Sequence, residues 1–417
     1  MQLNRGTVSL VAVCAATLMF IPVRAQQDGR SVADAASSDR ATAGQDTARF
    51  HRHQGKNIPN NYIVVLDQDP AVTAGDEAQA AFDADQVILT TSSGRVKHVY
   101  AHAINGFSAE LTEADALTLS NDPRVRFVEE DSVMEIVTTQ SNATWGIDRI
   151  DQASRPLSGT YTYTSTGSGV NAYIIDTGIR VTHTQFGGRA SVAFDAVGDG
   201  RNGIDCNGHG THVSGTVGGS TYGVAKAVRL FAVRVLNCSG SGTTSGVIAG
   251  VDWVTAHHIS PSVANMSLGG GVSTSLDTAV ANSISSGVTY AIAAGNSNTN
   301  ANTSSPARVG TAITVGASTI NDARSSFSNF GSVVDVFAPG SSITSAWATS
   351  NTATNTISGT SMATPHVAGV AARFLQNNRT ASPATVRNAI VNAASLNRLT
   401  GVPTGTANRL LFWSGTQ

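Results

Sequence analysis

The stretch Ser358-Gly359-Thr360-Ser361-Met362-Ala363-Thr364-Pro365-His366-Val367-Ala368-Gly369 predicts a turn followed by a buried helix. Small and apolar side chains continue to residue 375 without a polar face, which is typical of a helix buried on most sides. We expect Gly359 to allow a sharp bend. We expect Pro365 in the first helical turn, where its missing N–H has no partner to lose. Ser361 would lie at the positive end of the helix dipole, where negative charge is stabilised. A serine that only caps the helix is the alternative interpretation.

The composition is that of a large protein of low charge. The 417 residues include 13% charged side chains and 41 glycines, and the formal net charge is −2. This length predicts one large domain and one small domain. Because neither acidic nor basic residues are in excess, we expect no nucleic acid and no membrane surface as a partner. We expect the protein to be a monomer.

The N-terminus has the pattern of a secretory signal peptide. Arg5 is followed by an apolar run over 8–23 and by Val23-Arg24-Ala25, a plausible cleavage site. The run is too short for a membrane span. We therefore expect residues 1–25 to be removed and the protein to be secreted. Residues 26–56 are polar and predict a disordered linker.

The three cysteines fit a secreted protein. Cys14 would leave with the signal peptide, and Cys206 and Cys238 would remain as an even pair in an oxidising environment. This predicts a disulfide between them. Two free buried thiols are the alternative.

A small domain is predicted over 57–137. The pattern predicts strands at 62–66, 96–104 and 125–128, and helices at 76–89 and from Thr112 onward. With a further short strand before the second helix, the order is strand, helix, strand, strand, helix, strand. This is the split βαβ order of a ferredoxin-like α+β domain.

A large domain is predicted over 138–417, where short apolar strands alternate with helical segments. Such alternation favours an α/β fold in which a mostly parallel sheet lies between helices. Functional side chains in such folds gather at the carboxyl ends of the strands. The predicted strands are 170–175, 230–236, 263–268, 288–294 and 312–315, and the predicted helices are 209–217, 243–257 and 274–286.

Three glycine-framed segments carry the residue types that acyl transfer needs: Asp176 after a buried strand, His209 at the start of a helix, and Ser361. A serine hydroxyl needs a base, and histidine serves when a carboxylate orients it. Asn296, which follows a predicted strand, could donate to an oxyanion. Taken singly, the aspartate and the asparagine could be turn residues, and His209 with His212 could bind a metal.

The order Asp176, His209, Ser361, with these local sequences, resembles the subtilisin-like serine proteases, the subtilase or peptidase S8 family. The resemblance covers about 138–415 and is strongest to the proteinase K branch, among aqualysin-type enzymes. It implies the subtilisin-like three-layer fold. It also implies that Asp176 orients His209, that His209 acts as general base and then acid, and that Ser361 attacks. Asn296 and the N–H of Ser361 would hold the oxyanion.

The same resemblance implies the substrate-binding residues. Gly240, Ser241 and Gly242 would form an edge strand that pairs with the substrate backbone. The walls of the P1 pocket would be Ser267, Leu268, Gly269, Ala293, Ala294 and Gly295. Small uncharged walls predict an endopeptidase of broad specificity that cleaves polypeptides after apolar or aromatic residues.

The small domain resembles the inhibitory propeptide of this family, the inhibitor I9 type. This implies a zymogen whose propeptide is an intramolecular inhibitor and chaperone. Self-cleavage would fall near Val137-Thr138 and leave a mature chain of 138–417.

Structural calcium is a further expectation from the resemblance, with no catalytic cofactor. Asp335 and the carbonyl oxygens of Gly310 and Ala312 align with a family calcium site, and oxygen ligands suit this cation. An ordinary polar turn is the alternative.

Two other positions depart from relatives. Asp148, Asp151 and Gln152 resemble a second calcium site, but Ser158 stands where some relatives have a carboxylate. A second disulfide of some relatives is expected to be absent, because its positions align with Asn302 and Val333.

Two other function classes compete with the protease. An ester or lipid hydrolase would favour a Gly-x-Ser-x-Gly elbow, whereas this chain has Gly-Thr-Ser-Met-Ala. A non-catalytic secreted binding protein would be indicated by loss of Asp176, His209, Ser361 or Asn296, and all four are present.

Overall fold

The structure is a computed structural model that describes residues 49–52, 57–67, 75–92, 94–134 and 137–414. The predicted signal peptide, 1–25, and residues 26–48 of the predicted linker lie outside the described residues. The described chain divides into two units, one containing Asn60–Glu130 and the other Asp131 onward.

The first unit has the predicted split βαβ order. Asp76 and Thr112 start its two helices, because their side chains accept hydrogen bonds from the backbone N–H of Gln79 and Asp115. The sheet order is β1-β5-β2-β4-β3. The elements are β1 (Phe50–His51), β2 (Asn57–Leu66), α1 (Glu77–Ile88), β3 (Arg95–Tyr100), β4 (Gly106–Glu110), α2 (Glu113–Ser120) and β5 (Val125–Ser132).

The end of the predicted linker is part of this sheet. Phe50 is fully buried, and β1 pairs in parallel with β5, with Phe50 opposite Val128. The prediction of a linker over 26–56 is therefore wrong at its carboxyl end. The polar composition of the segment obscured one aromatic side chain that the core of the unit buries.

The second unit contains a nine-stranded sheet with the order β17-β18-β14-β13-β12-β11-β8-β10-β9. All of its pairs are parallel except β17 with β18. The nine strands of this sheet are β8 (Asn171–Asp176), β9 (Ala190–Asp195), β10 (Arg229–Arg234), β11 (Ser262–Met266), β12 (Thr289–Ala293), β13 (Ile313–Ser318), β14 (Val336–Pro339), β17 (Ser395–Leu396) and β18 (Arg409–Leu410). Two further antiparallel pairs are formed by β6 (Thr138–Ser141) with β7 (Thr160–Tyr163) and by β15 (Ile343–Ala346) with β16 (Thr354–Ile357).

Helices cover both faces of this sheet, as predicted. The helices are α3 (Trp145–Ile150), α4 (His209–Gly218), α5 (Thr244–His257), α6 (Thr274–Ser285), α7 (Thr360–Asn377) and α8 (Pro383–Ala393). One apolar core contains residues of α4, α7 and α8. A second core contains residues of α5 and α6. None of the described helices is both long and apolar enough to span a membrane.

The helix starts differ in a way that bears on function. Thr243, Ser273 and Ser382 cap α5, α6 and α8 through their side chains. In contrast, the N-cap residues of α4 and α7 are Gly208 and Gly359, and the side chains that accept from the first N–H groups of these helices come from Asp205 and Asn296. These two helices begin with the segments that carry His209 and Ser361.

Candidate active site

Asp176 and His209 lie in direct contact. Asp176 is the last residue of β8 and is fully buried, and His209 is the first residue of α4. The Nδ1 atom of His209 is 2.8 Å from Asp176 Oδ1 and 3.0 Å from Oδ2. The carboxylate therefore holds the proton on Nδ1 and leaves Nε2 to act as a base.

This contact changes the acidity of the histidine. Burial alone would lower the pKa of His209, but the charge of Asp176 and its hydrogen bond to the ring outweigh burial, so the net shift is upward. A protonated ring is thus stabilised beside Asp176. A base that takes a proton during a reaction needs this property.

Asp205, which the sequence analysis did not single out, fixes the start of α4. Its Oδ1 accepts from Thr177 Oγ1 and from the backbone N–H of Asn207 and Gly208, each at 2.9 Å. Its Oδ2 accepts from the N–H and the hydroxyl of Thr211 at 2.9 and 2.6 Å. Asp205 therefore ties the end of β8 to the first turn of α4. An aspartate shortly before a helix start was the sequence signal.

Ser361 is the second residue of α7, so it does not cap the helix. Its hydroxyl donates to the carbonyl oxygen of Ser267 at 3.1 Å. The Ser267 hydroxyl donates to the carbonyl oxygen of Ser361 at 2.8 Å. Ser267 directly follows β11, so this pair of bonds connects the start of α7 to the sheet.

Pro365 explains why the carbonyl oxygen of Ser361 takes a hydrogen bond from the side chain of Ser267. The prediction that Pro365 lies in the first turn is wrong, because α7 starts at Thr360 and the proline lies inside it. A proline has no N–H for the carbonyl oxygen four residues earlier, which here belongs to Ser361. The hydroxyl of Ser267 supplies the missing donor.

Gly359 does not have the role predicted from its backbone freedom. Its φ of 162° is extended backbone that other residues also adopt. A Cβ placed on Gly359 would lie 3.5 Å from Nδ2 of Asn296. The glycine therefore keeps the space beside this amide open.

Asn296 is oriented by the residue before Ser361. Its Oδ1 accepts from the N–H of Thr360 at 2.8 Å and from the Thr360 hydroxyl at 2.9 Å. Both bonds use the oxygen, so the NH₂ group remains directed to the space beside Gly359. A donor held in this way can stabilise an oxyanion without reorganising.

A cavity of about 430 Å³ lies beside these residues. His209 and Ser267 line it together with the predicted substrate-binding residues Gly240–Gly242 and Leu268–Gly269. His209 is the only ionisable side chain among its described lining residues. Sequence reasoning did not assign substrate binding to the other lining residues, which are Thr177, Asn207, Leu236, Thr243, Thr244, Val247, Gly270, Gly271, Ser273, Leu276 and Ser305.

The predicted substrate-binding residues do not all lie on the wall of this cavity. Ala293, Ala294 and Gly295 do not line this cavity. Gly295 N–H donates to the Thr360 hydroxyl at 3.1 Å, so this segment contacts the start of α7. Gly240–Gly242 is exposed and is not a strand of any sheet. The N–H groups of Gly240 and Ser241 and the carbonyl oxygen of Ser241 are hydrogen-bonded to Asn237 in the same loop.

The predicted disulfide is present. Cys206 and Cys238 are joined by an S–S bond of 2.03 Å. Asn207 links the same two segments, because its Nδ2 donates to the carbonyl oxygen of Cys238 at 3.0 Å. Its Oδ1 accepts from the N–H of His209 at 3.1 Å. The loop that lines the cavity is thereby attached to the start of α4.

Among the described residues, no group of three possible metal ligands includes His209 or His212. The Nε2 atom of His212 lies 3.0 Å from the carbonyl oxygen of Ile343 and 3.2 Å from that of Asn355. These contacts place the ring proton on Nε2. Burial lowers the pKa of His212 to about 4, which keeps the ring neutral.

Of the two groups of residues that resemble calcium sites, the one at Asp335 does not suit a cation and the one at Asp148 and Asp151 does. At Asp335, the guanidinium of Arg387 contacts both the carboxylate and the carbonyl oxygen of Ala312, so these residues do not fit a cation. At the second group, Asp148 accepts from Gln152 and from Ser158. Within the described residues, Asp151 Oδ1 is buried without a hydrogen-bond partner, which fits an additional ligand there.

Comparisons with known proteins agree with this geometry. A family model described as the subtilase family matches residues 167–411, and one described as peptidase inhibitor I9 matches residues 61–137. An extracellular serine proteinase of Thermus sp. (strain Rt41A) is 50% identical over 367 residues, which cover 85% of this chain and 90% of that protein. An alkaline serine exoprotease A of Vibrio alginolyticus is 47% identical over 363 residues, which cover 85% of this chain and 67% of that protein.

A solved structure gives the same result. The crystal structure of a cold adapted subtilisin-like serine proteinase is 57% identical, with a TM-score of 0.64. The match covers 65% of this chain and 98% of that one. Together with the family model over 167–411, it shows that the chain belongs to the subtilase family of serine proteases.

Proposed function

We propose that this chain is the self-processing precursor of an extracellular serine endopeptidase with broad specificity. The family match and the relatives support a secreted serine protease with an inhibitor I9 segment. The contact between buried Asp176 and His209 is the observation that carries the catalytic assignment. It provides an oriented base on the wall of a cavity that Ser267 also lines. Ser267 is in turn hydrogen-bonded to Ser361.

In the proposed reaction, Ser361 Oγ attacks the carbonyl carbon of the scissile peptide bond. His209 Nε2 takes the hydroxyl proton and later gives it to the leaving amine. The Ser361 hydroxyl, which donates to Ser267 in this structure, turns toward His209 when substrate is bound. Asn296 Nδ2 and the N–H of Ser361 stabilise the oxyanion. Water then hydrolyses the acyl-enzyme by the same route.

The proposed substrates are polypeptides with an apolar or aromatic residue at P1. Support comes from the residues assigned to the pocket walls, Ser267–Gly269 and Ala293–Gly295, which include no carboxylate that would select a basic residue. The exposed segment Gly240–Gly242 lies outside any sheet, and an extended peptide that pairs with it would replace its hydrogen bonds to Asn237. We assign the walls of the P1 pocket to Ser267–Gly269 and Ala293–Gly295, as the resemblance implies.

Digestion of denatured casein and of a mixed peptide library tests this proposal. We expect the purified mature protein to cleave inside the chains, mainly after Leu, Phe, Tyr and similar residues, and Ser361→Ala to cleave nothing. Cleavage restricted to Lys or Arg would contradict the pocket assignment. Hydrolysis of short esters or lipids without any peptide cleavage would favour the hydrolase alternative.

We also propose the domain roles. Residues 1–25 direct export, and 57–137 form the inhibitory and chaperoning propeptide, in agreement with the inhibitor match over 61–137. Residues 138–417 form the mature enzyme after cleavage near Val137-Thr138.

A structural calcium ion is proposed at the second group only. Asp148, Asp151 and Gln152 would hold it, and the buried Oδ1 of Asp151 supports this placement. We expect EGTA to accelerate thermal inactivation of the wild type but to have no effect on Asp151→Asn. An equal effect of EGTA on both proteins would contradict the site.

A further inference from the structure

Arg387 occupies the place where the family resemblance led us to expect calcium. It lies in α8, and its Nη2 is 2.5 Å from Asp335 Oδ1. Its Nε donates to the carbonyl oxygen of Ala312 at 3.2 Å. One guanidinium therefore contacts both the carboxylate and a carbonyl oxygen of the expected ligand set.

The other contacts of Asp335 also disfavour a bound metal ion. Its Oδ2 accepts from the backbone N–H of Thr314 at 2.9 Å. Both carboxylate oxygens thus have donors. Arg409 is a second positive charge close enough to act on this carboxylate. Calcium takes six to eight oxygen ligands, and a divalent cation here would meet one carboxylate and two arginines.

The position of the three contacting residues gives the interaction a structural role. Ala312 directly precedes β13 and Asp335 directly precedes β14, and these strands are neighbours. Arg387 projects to them from α8, which buries Val386 and Ile390 in the core. A positive charge at this point joins the starts of two strands to one helix.

We propose that the guanidinium of Arg387 replaces calcium between Asp335 and Ala312, so that this protein holds the starts of β13 and β14 without a metal ion. An arginine fork presents fixed N–H donors to a carboxylate and remains charged at every working pH. With this replacement, calcium removal cannot loosen this part of the fold, and calcium addition cannot strengthen it. Removing the guanidinium exposes the oxygens and should restore a calcium site.

Thermal unfolding in excess calcium and in EGTA tests the proposal. The full chain with Ser361→Ala serves as the parent, which avoids self-digestion, and Asp335→Asn, Arg387→Ala and the double variant are added to it. The measured quantity is the rise in melting temperature that calcium produces. Any rise due to Asp151 is common to the four proteins and cancels in their differences.

We expect Asp335→Asn to melt earlier than the parent but to show the same calcium-induced rise. Arg387→Ala should gain an extra rise of at least about 2–4 °C, and the double variant should lose that gain. Two results would overturn the proposal. One is a parent whose calcium-induced rise disappears in Asp335→Asn, and the other is an Arg387→Ala protein without any additional rise.

Discussion

Ser267 and Ser361 exchange hydrogen bonds, since the hydroxyl of each donates to the carbonyl oxygen of the other, at 2.8 and 3.1 Å. The first bond has a specific cause. Pro365 deprives the Ser361 carbonyl of its helical donor, and the Ser267 side chain replaces it. The backbone of the proposed nucleophile is therefore held by a residue outside its own helix.

Removal of this hydroxyl should reduce turnover more than substrate binding. Ser267→Ala leaves the partly buried carbonyl oxygen of Ser361 without this donor, which costs about 1–3 kcal/mol. If that cost falls on the transition state, kcat decreases roughly 5- to 150-fold, while KM changes little. Ser267→Thr keeps the hydroxyl and should retain most of the activity. Steady-state kinetics on a peptide substrate measure both. Unchanged kcat in Ser267→Ala would show that the bond does not position Ser361.

Asp205 should contribute strongly to the stability of the fold through the hydrogen bonds that it accepts at the start of α4. Asp205→Ala removes the acceptor of five hydrogen bonds at the start of α4. We expect the free energy of unfolding to fall by at least about 3 kcal/mol, since several donors lose their partner. Urea denaturation in the Ser361→Ala background measures this. Asp252→Ala, an exposed carboxylate on α5, is the control and should stay within about 0.5 kcal/mol. Equal effects of the two variants would contradict the role of Asp205.

The parts of this molecule that could be predicted from sequence are those with local patterns. The apolar strands and the glycine-framed segments around Asp176, His209 and Ser361 are local, and their arrangement at one edge of a parallel sheet follows from the fold class. The positions of Pro365 and Gly359 were misjudged because both depend on the residue at which α7 begins.

Other features depend on contacts that are distant along the chain. Arg387 reaches Asp335 and Ala312 only because α8 packs against α7 and β12, and no local pattern near Asp335 indicates an arginine. Phe50 pairs with Val128 of β5. The composition of 26–56 gives no sign that part of this segment joins a sheet.

Acid should destabilise the protein partly through His366. This residue is fully buried in α7, and burial lowers its pKa to about 4. The unfolded chain takes up the proton near pH 6.5, its ordinary pKa, but the folded chain does so only near 4. Stability from this group is therefore present above about pH 6.5 and is lost as the pH falls toward 4, by about 1.4 kcal/mol per pH unit.

His366→Gln should remove this contribution. In the Ser361→Ala background, the unfolding free energy of the variant should decline less steeply between pH 6.5 and 4 than that of the parent, and the difference should be about 1.4 kcal/mol per pH unit. Because the charge of His212 acts on His366, the same pair of proteins is also compared in a His212→Gln background. Identical slopes would mean that His366 does not stay neutral in the folded state.

Self-cleavage of the precursor should depend on Ser361. We expect Ser361→Ala, produced in a host without other extracellular proteases, to accumulate as a chain that still contains residues 57–137. Wild-type protein should begin near Thr138. N-terminal sequencing and intact mass measure both. A Ser361→Ala protein processed at the same position in purified form would contradict self-cleavage, whereas processing only after addition of wild-type enzyme would show that the site is accessible to an active copy.

The central claim is that Ser361 is a nucleophile activated by His209 and Asp176. A fluorophosphonate probe measures this most directly, because it forms a covalent bond only with an activated serine. We predict one probe per mature wild-type molecule, located on Ser361 by mass spectrometry. Asp176→Asn should fold but react on the order of 10⁴ times more slowly, and Ser361→Ala should not react. Failure of the wild type to react, or labelling of a different serine, would contradict the account.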